Sequence, residues 1–152
     1  MDQRPADQRL GKTLAMASKS MREHFNAALA EVGSTFHTYV LLRAAEQEPG
    51  LSHRELAEQL GIEGATVTHH VDRLVSEGLI ARERDAGDRR VWRITLTAEG
   101  RSQLQRASVI AEQVDTEFRS HFDAGELDTL ELLLGRILDR YQKEADAHHR
   151  AR

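Results

Sequence analysis

With 152 residues and 17.1 kDa, the chain can hold one domain with additional helices and a core of its own, which excludes large multidomain enzyme folds. It has no cysteine, so disulfide scaffolds, thiolate zinc sites, cysteine nucleophiles and thiol redox sensing are excluded together. A net charge of −4 excludes a uniformly basic surface, so any nucleic-acid contact must be local; 39% hydrophobic and 30% charged residues with 2 prolines predict a soluble, largely helical globule.

In chain order, Leu14, Met21, Phe25, Leu29 and Val32 recur at three- and four-residue steps and predict a long first helix over 10–32, ended by Gly33. Ser34 or Thr35 caps a second helix carrying Tyr39, Val40, Leu42 and Ala45, which stops at Pro49-Gly50. Ser52-His53-Arg54-Glu55 has the form of a capping box and opens a short helix to Leu60. After Gly61-Ile62-Glu63-Gly64, the stripe Val67, Val71, Leu74, Val75 predicts a second short helix ended by Gly78, making a helix-turn-helix pair. Leu79 to Arg84 and Val91 to Leu96 read as strands around the turn-rich Asp85-Ala86-Gly87-Asp88-Arg89-Arg90, a β-hairpin with a charged tip. Thr97 caps a further helix with Leu104, Ala107, Ala111, Val114 and Phe118 on one face, reaching about His121. Leu127, Leu130, Leu134, Ile137, Leu138 and Tyr141 form a last helix; with Leu132 and Leu133 also apolar, it needs packing on two sides or against another subunit. The expected fold is mainly α with a small β-hairpin wing. Residues 1–48 supply N-terminal helices, 49–98 a winged helix-turn-helix, and 99–152 C-terminal dimerisation helices. No run approaches the roughly 18 apolar residues of a membrane span, and the N-terminus lacks a signal-peptide stretch, so a cytoplasmic location without membrane contact is expected.

The segment Arg84-Asp85-Ala86-Gly87-Asp88-Arg89-Arg90-Val91-Trp92-Arg93-Ile94-Thr95-Leu96-Thr97-Ala98-Glu99-Gly100 resembles the wing signature of the MarR family of bacterial transcriptional regulators, with its Asp-x-Arg, strand, Leu-Thr and Gly. Thr66 to Val75 followed by Gly78-Leu79-Ile80 resembles that family's recognition helix and its exit. Gly33-Ser34-Thr35 before Tyr39 and Leu42 fits the entry to the second helix, with Ser34 where an apolar residue is usual. The resemblance implies a homodimer with interlocked terminal helices and a pseudo-palindromic double-stranded DNA operator near its own gene. It also implies repression relieved by a small aromatic or lipophilic effector. A transcriptional activator of the same fold, or a winged-helix module that docks protein and not DNA, are the alternatives.

With the apolar stripe turned inward, Thr66, Thr68, His69 and Arg73 face outward as candidate DNA contacts, with His70 between that set and the stripe and Asp72 reserved for a structural ion pair. Ser52, Arg84, Arg89 and Arg90 complete the candidate DNA-binding set. Asp88 is expected to support the wing turn, bracing one of Arg89 and Arg90 while the other enters a groove. The implied effector pocket draws on Met21, His24, Phe25, Phe36, His37, Tyr39 and Arg43. The 8 histidines lack metal-ligand spacing, and no nucleophile elbow, phosphate loop or dinucleotide fingerprint is present, so no cofactor, metal or enzymatic activity is expected.

Overall fold

A computed structural model describes residues 10–150, with side chains described to Tyr141. The element order is α1 (Leu10–Leu29), a 3-10 turn (Ala30–Val32), α2 (Phe36–Gln47), α3 (His53–Leu60), α4 (Gly64–Ser76), β1 (Ile80–Arg84), β2 (Trp92–Leu96), α5 (Ala98–Arg119) and α6 (Ala124–Arg150). The chain divides within α5 into two compact units, one ending at Glu112 and the other starting at Gln113. Residues 49–98 lie wholly inside the first unit, together with the N-terminal helices.

Local chemistry explains the boundaries of the first unit. Gly33 takes φ 67° at the end of the 3-10 turn, a left-handed conformation that suits glycine. Between the two capping candidates the structure chooses Thr35, whose hydroxyl accepts from the Thr38 N–H at 3.2 Å. Ser34 is buried, and its Oγ has no hydrogen-bond partner among the described residues, which is the local consequence of a hydroxyl at an apolar position. The capping box forms as expected: the Ser52 N–H donates to Glu55 Oε2 at 2.7 Å, and the Glu55 N–H donates to Ser52 Oγ at 3.2 Å. These bonds from Ser52, with Arg93 adding, hold the Glu55 carboxyl below its usual range.

The core joins Leu41, Leu42, Ala44 and Ala45 of α2 to Leu56 of α3, Val67, Val71 and Leu74 of α4, Ile80, Ile94 and Leu96 of the hairpin, and Leu104 of α5. Each contributes the apolar stripe of its element, so burial fixes how α3 and α4 cross and which hairpin face turns inward. β1 and β2 pair antiparallel with Ile80 opposite Leu96, Arg82 opposite Ile94 and Arg84 opposite Trp92. Leu51 adds an isolated antiparallel bridge to Ile94. At the hairpin exit the Thr97 hydroxyl reaches the carbonyls of Gly78 and Leu79 and accepts from the Gly100 N–H at 3.0 Å. A Cβ on Gly100 would stand 1.9 Å from the Leu79 carbonyl oxygen, so only glycine allows α5 to begin this close to the strand.

In the second unit, Asp123 and Glu126 form a second capping box at the start of α6, with bonds of 2.9 and 3.0 Å. The sequence carries this as Asp-x-x-Glu, a signal the helix-period reading passes over. Arg119 pairs with Asp115 at 2.7 Å and with Glu131 of α6 at 2.9 Å. Leu132, Leu133 and Leu138 stand exposed, at 56%, 48% and 59%.

Candidate nucleic-acid interface

The wing is built around a carboxylate that sequence reading does not single out. Asp85 Oδ2 accepts the N–H groups of Gly87 and Asp88, both at 2.9 Å, and its Oδ1 takes Arg93 Nε at 2.8 Å. These donors, Arg93 foremost, hold the Asp85 carboxyl below its usual range. Arg93 also reaches Glu55 at 3.0 Å, so one guanidinium ties the wing turn to the start of α3. Asp88 does serve the turn, but through backbone: its Oδ1 accepts the Arg90 N–H at 2.9 Å, and its carbonyl accepts the Val91 N–H. It braces neither arginine side chain among the described contacts. A carboxylate two residues before a glycine, in Asp85-Ala86-Gly87, is the signal that points to an Asx turn.

Arg89 and Arg90 are exposed, and among the described residues their guanidinium groups carry no ion pair. Arg84 differs from them. Its guanidinium lies 3.9 Å from the Trp92 ring centroid and donates to the Arg89 carbonyl, so the structure commits it to the wing itself.

On α4, His69 is exposed, Thr66 is half-buried, and Thr68 is exposed while its hydroxyl donates to the Gly64 carbonyl at 3.0 Å. Asp72 forms the structural ion pair expected of it, with Arg82 at 2.6 Å. Arg73 departs from the outward set, and His70, expected between that set and the stripe, packs inward. His70 stacks on His37 of α2 with ring centroids 4.7 Å apart and planes 13° from parallel. Arg73 Nη2 donates to the buried Thr38 Oγ1 at 2.7 Å, while Glu77 stands 4.0 Å from its Nε. The physical reason is helical geometry: positions 70 and 73 border the stripe of Val67, Val71 and Leu74, and long polar side chains there can fold back onto α2. His70 Nδ1 and Arg73 Nε are both buried without a hydrogen-bond partner among the described residues. His53, at the start of α3, has its pKa lowered by burial and by Arg82, with Asp72 opposing.

Of the expected effector residues, Phe25, Phe36 and His37 form one series of ring contacts. Phe25 meets Phe36 edge-on at 5.7 Å, Phe36 meets His37 at 6.0 Å, and the series continues to His70. Tyr39 packs against the core cluster, and its hydroxyl accepts from Arg43 at 3.2 Å. Met21 is half-buried and His24 exposed on α1. The His37 imidazole has its pKa lowered by burial, then by Arg22 and Arg73, which places two cations within electrostatic reach of the aromatic series. Among the described residues no three His, Asp or Glu side chains gather as a metal site would require, and no helix is long and apolar enough to cross a membrane.

The MarR family profile matches residues 35–92, the span from α2 through the wing. Transcriptional regulator HosA of Escherichia coli is 33% identical over 101 residues, which cover 66% of this chain and 75% of that relative. Two solved structures share the fold closely. The transcriptional repressor CouR bound to a 23-mer DNA duplex has a TM-score of 0.80 at 28% identity, covering 90% of this chain and 97% of CouR. The PcaV regulator of Streptomyces coelicolor in complex with its natural ligand has a TM-score of 0.81 at 27% identity, covering 91% and 98%. Each of these relatives is named as a transcriptional regulator or repressor. By the helix-turn-helix, the wing and these likenesses, the chain belongs to the MarR family of transcriptional regulators.

Proposed function

We propose that this regulator is a homodimeric repressor that reads a pseudo-palindromic operator near its own gene, and that a small aromatic or lipophilic acid relieves it. Residues 49–98 read the DNA, and the helices on either side assemble the dimer. The observation that carries the DNA reading is the wing tip: Arg89 and Arg90 stand exposed, without ion pairs among the described residues, at the end of a hairpin tied to the helix-turn-helix by Arg93 and Arg82. Unpaired guanidinium groups on a protein of net charge −4 suit phosphates or a narrow minor groove. A wing built to dock protein would expose apolar side chains instead. On α4, Thr66, Thr68 and His69 offer hydroxyl and imidazole groups to base edges and phosphates, and Ser52 offers its hydroxyl at the start of α3. That CouR is solved on a DNA duplex supports this reading.

Effector relief is supported by the inner face between α2 and α4. Phe25 of α1, Phe36, His37 and His70 supply rings, while Arg73 Nε and His70 Nδ1 are buried without a hydrogen-bond partner among the described residues. An aromatic carboxylate meets both features, and PcaV is solved with its natural ligand. The test is a mobility shift on the duplex upstream of its own gene, with and without a panel of aromatic carboxylates. The upstream duplex is retarded in preference to an unrelated one, and an acid that weakens the complex binds the DNA-loaded protein less tightly by the same factor. Equal retardation of both duplexes contradicts the operator. A panel that leaves the thermal midpoint unmoved contradicts the effector.

A further inference from the structure

The face of the hairpin that carries Trp92 holds a series of contacts reaching from the recognition helix to the wing tip. Arg84 pairs with Trp92 across the strands, and strand alternation puts Arg82 on the same face as Arg84. Both guanidinium groups share the one indole: Arg84 lies 3.9 Å from its centroid and Arg82 lies 5.2 Å from it. Each then goes on to a different partner. Arg82 Nη1 donates to Asp72 of α4 at 2.6 Å, and Arg84 donates to the Arg89 carbonyl at the tip.

We propose that Asp72, Arg82, Trp92 and Arg84 form a strut that fixes the wing tip relative to α4, making them positioning residues for operator discrimination. This rests on the reading that α4 and the wing both meet DNA. Energetics favours a geometric role over a stabilising one. The Asp72 and Arg82 side chains are 54% and 35% exposed, and ion pairs and cation–π contacts at such positions contribute little to folding. A reader made of two elements discriminates only when both meet the duplex in a fixed register. A wing released from its strut keeps Arg89 and Arg90, so it keeps its attraction to any DNA. It loses the geometry that penalises a wrong sequence.

The experiment uses the full chain and two probes: the tightest duplex that the parent protein selects from a randomised pool, and poly(dI-dC). Trp92→Leu and Arg82→Gln are each expected to lower the affinity ratio between the probes by about tenfold, leaving the salt slope unchanged. Trp92→Phe restores most of the ratio. In a double-mutant cycle, Asp72→Asn combined with Arg82→Gln loses no more than either change alone. Trp92 is the only tryptophan, so its emission reports the strut without a label, and Arg82→Gln raises its quenching by acrylamide in DNA-free protein. Arg82 lies outside the core, so its variant tests the proposal even where Trp92→Leu fails to fold. A parent that discriminates, beside variants that discriminate equally well, overturns the strut. A parent that selects no preferred duplex overturns the DNA reading and the positioning role with it, an outcome recognisable apart because the parent itself then fails.

Discussion

His37 and His70 stack nearly parallel at 4.7 Å, an arrangement that fits two neutral imidazoles and opposes two imidazolium ions. Burial is the first cause lowering both pKa values; Arg22 and Arg73 add to it for His37, and His37, Arg73 and His69 add to it for His70. Their folded values therefore lie below 6.5, and below that pH the unfolded chain binds protons that the folded protein refuses. Stability is expected to hold above about pH 7 and to fall as the pH drops through 6.5, with His53 adding a share by the same sign. Glu55 and Asp85, lowered from 4.5 and 3.8, act only at more acid pH and leave this window to the histidines. Thermal midpoints measured across the window check this: the combined His37→Gln and His70→Asn variant shows a flatter profile, whereas a parent that gains stability on acidification contradicts it. Gly100 supports a second prediction at this scale. Gly100→Ala places a methyl 1.9 Å from a backbone oxygen that cannot move without breaking the Thr97 contacts. It is expected to cost about 3 kcal/mol in urea unfolding, and a change under about 0.5 kcal/mol contradicts the close approach.

Helices, caps and hairpin were legible because their signals are local. Val67, Val71 and Leu74 announce a buried stripe, Ser52 and Glu55 a capping box, and Gly33 a helix end, all within a few residues of where they act. Contacts across longer separations were not legible. Arg93 finds Glu55 across 38 residues, and Arg73 finds Thr38 across 35, pairings that periodicity cannot encode. For this reason Arg73, read as an outward contact, and His70, left between contact and packing, lie on the inner face, whereas Arg84 is held within the wing by its near neighbours Trp92 and Arg89. Arg89 and Arg90 remain where the charged tip predicts them. Replacing either by alanine in a dimer is expected to weaken binding to operator and random duplex alike and to reduce the salt slope by roughly two units. Binding measured across a salt series checks this, and an unchanged slope for both variants contradicts a role for the tip.

For the whole molecule, the exposed apolar side chains bear on assembly. Leu132, Leu133, Leu138 and Tyr141 of α6 are exposed, as are Leu10 and Met16 of α1, on a chain whose first unit already has a core of its own. An apolar set of this kind is normally covered by a partner, and a second copy supplies the twofold symmetry that a palindromic site requires. Sedimentation at micromolar concentration is expected to give a dimer, shifted toward monomer by Leu133→Glu; a stable folded monomer of the parent contradicts the assembly. The symmetry of such a dimer is read by a footprint of the parent protein on the DNA upstream of its own gene. Two recognition helices in one dimer predict two protected half-sites related by a twofold axis, with centres about 10 base pairs apart and wing contacts flanking each. Uniform protection without half-sites, or protection no stronger than on unrelated DNA at the same salt, would contradict the account.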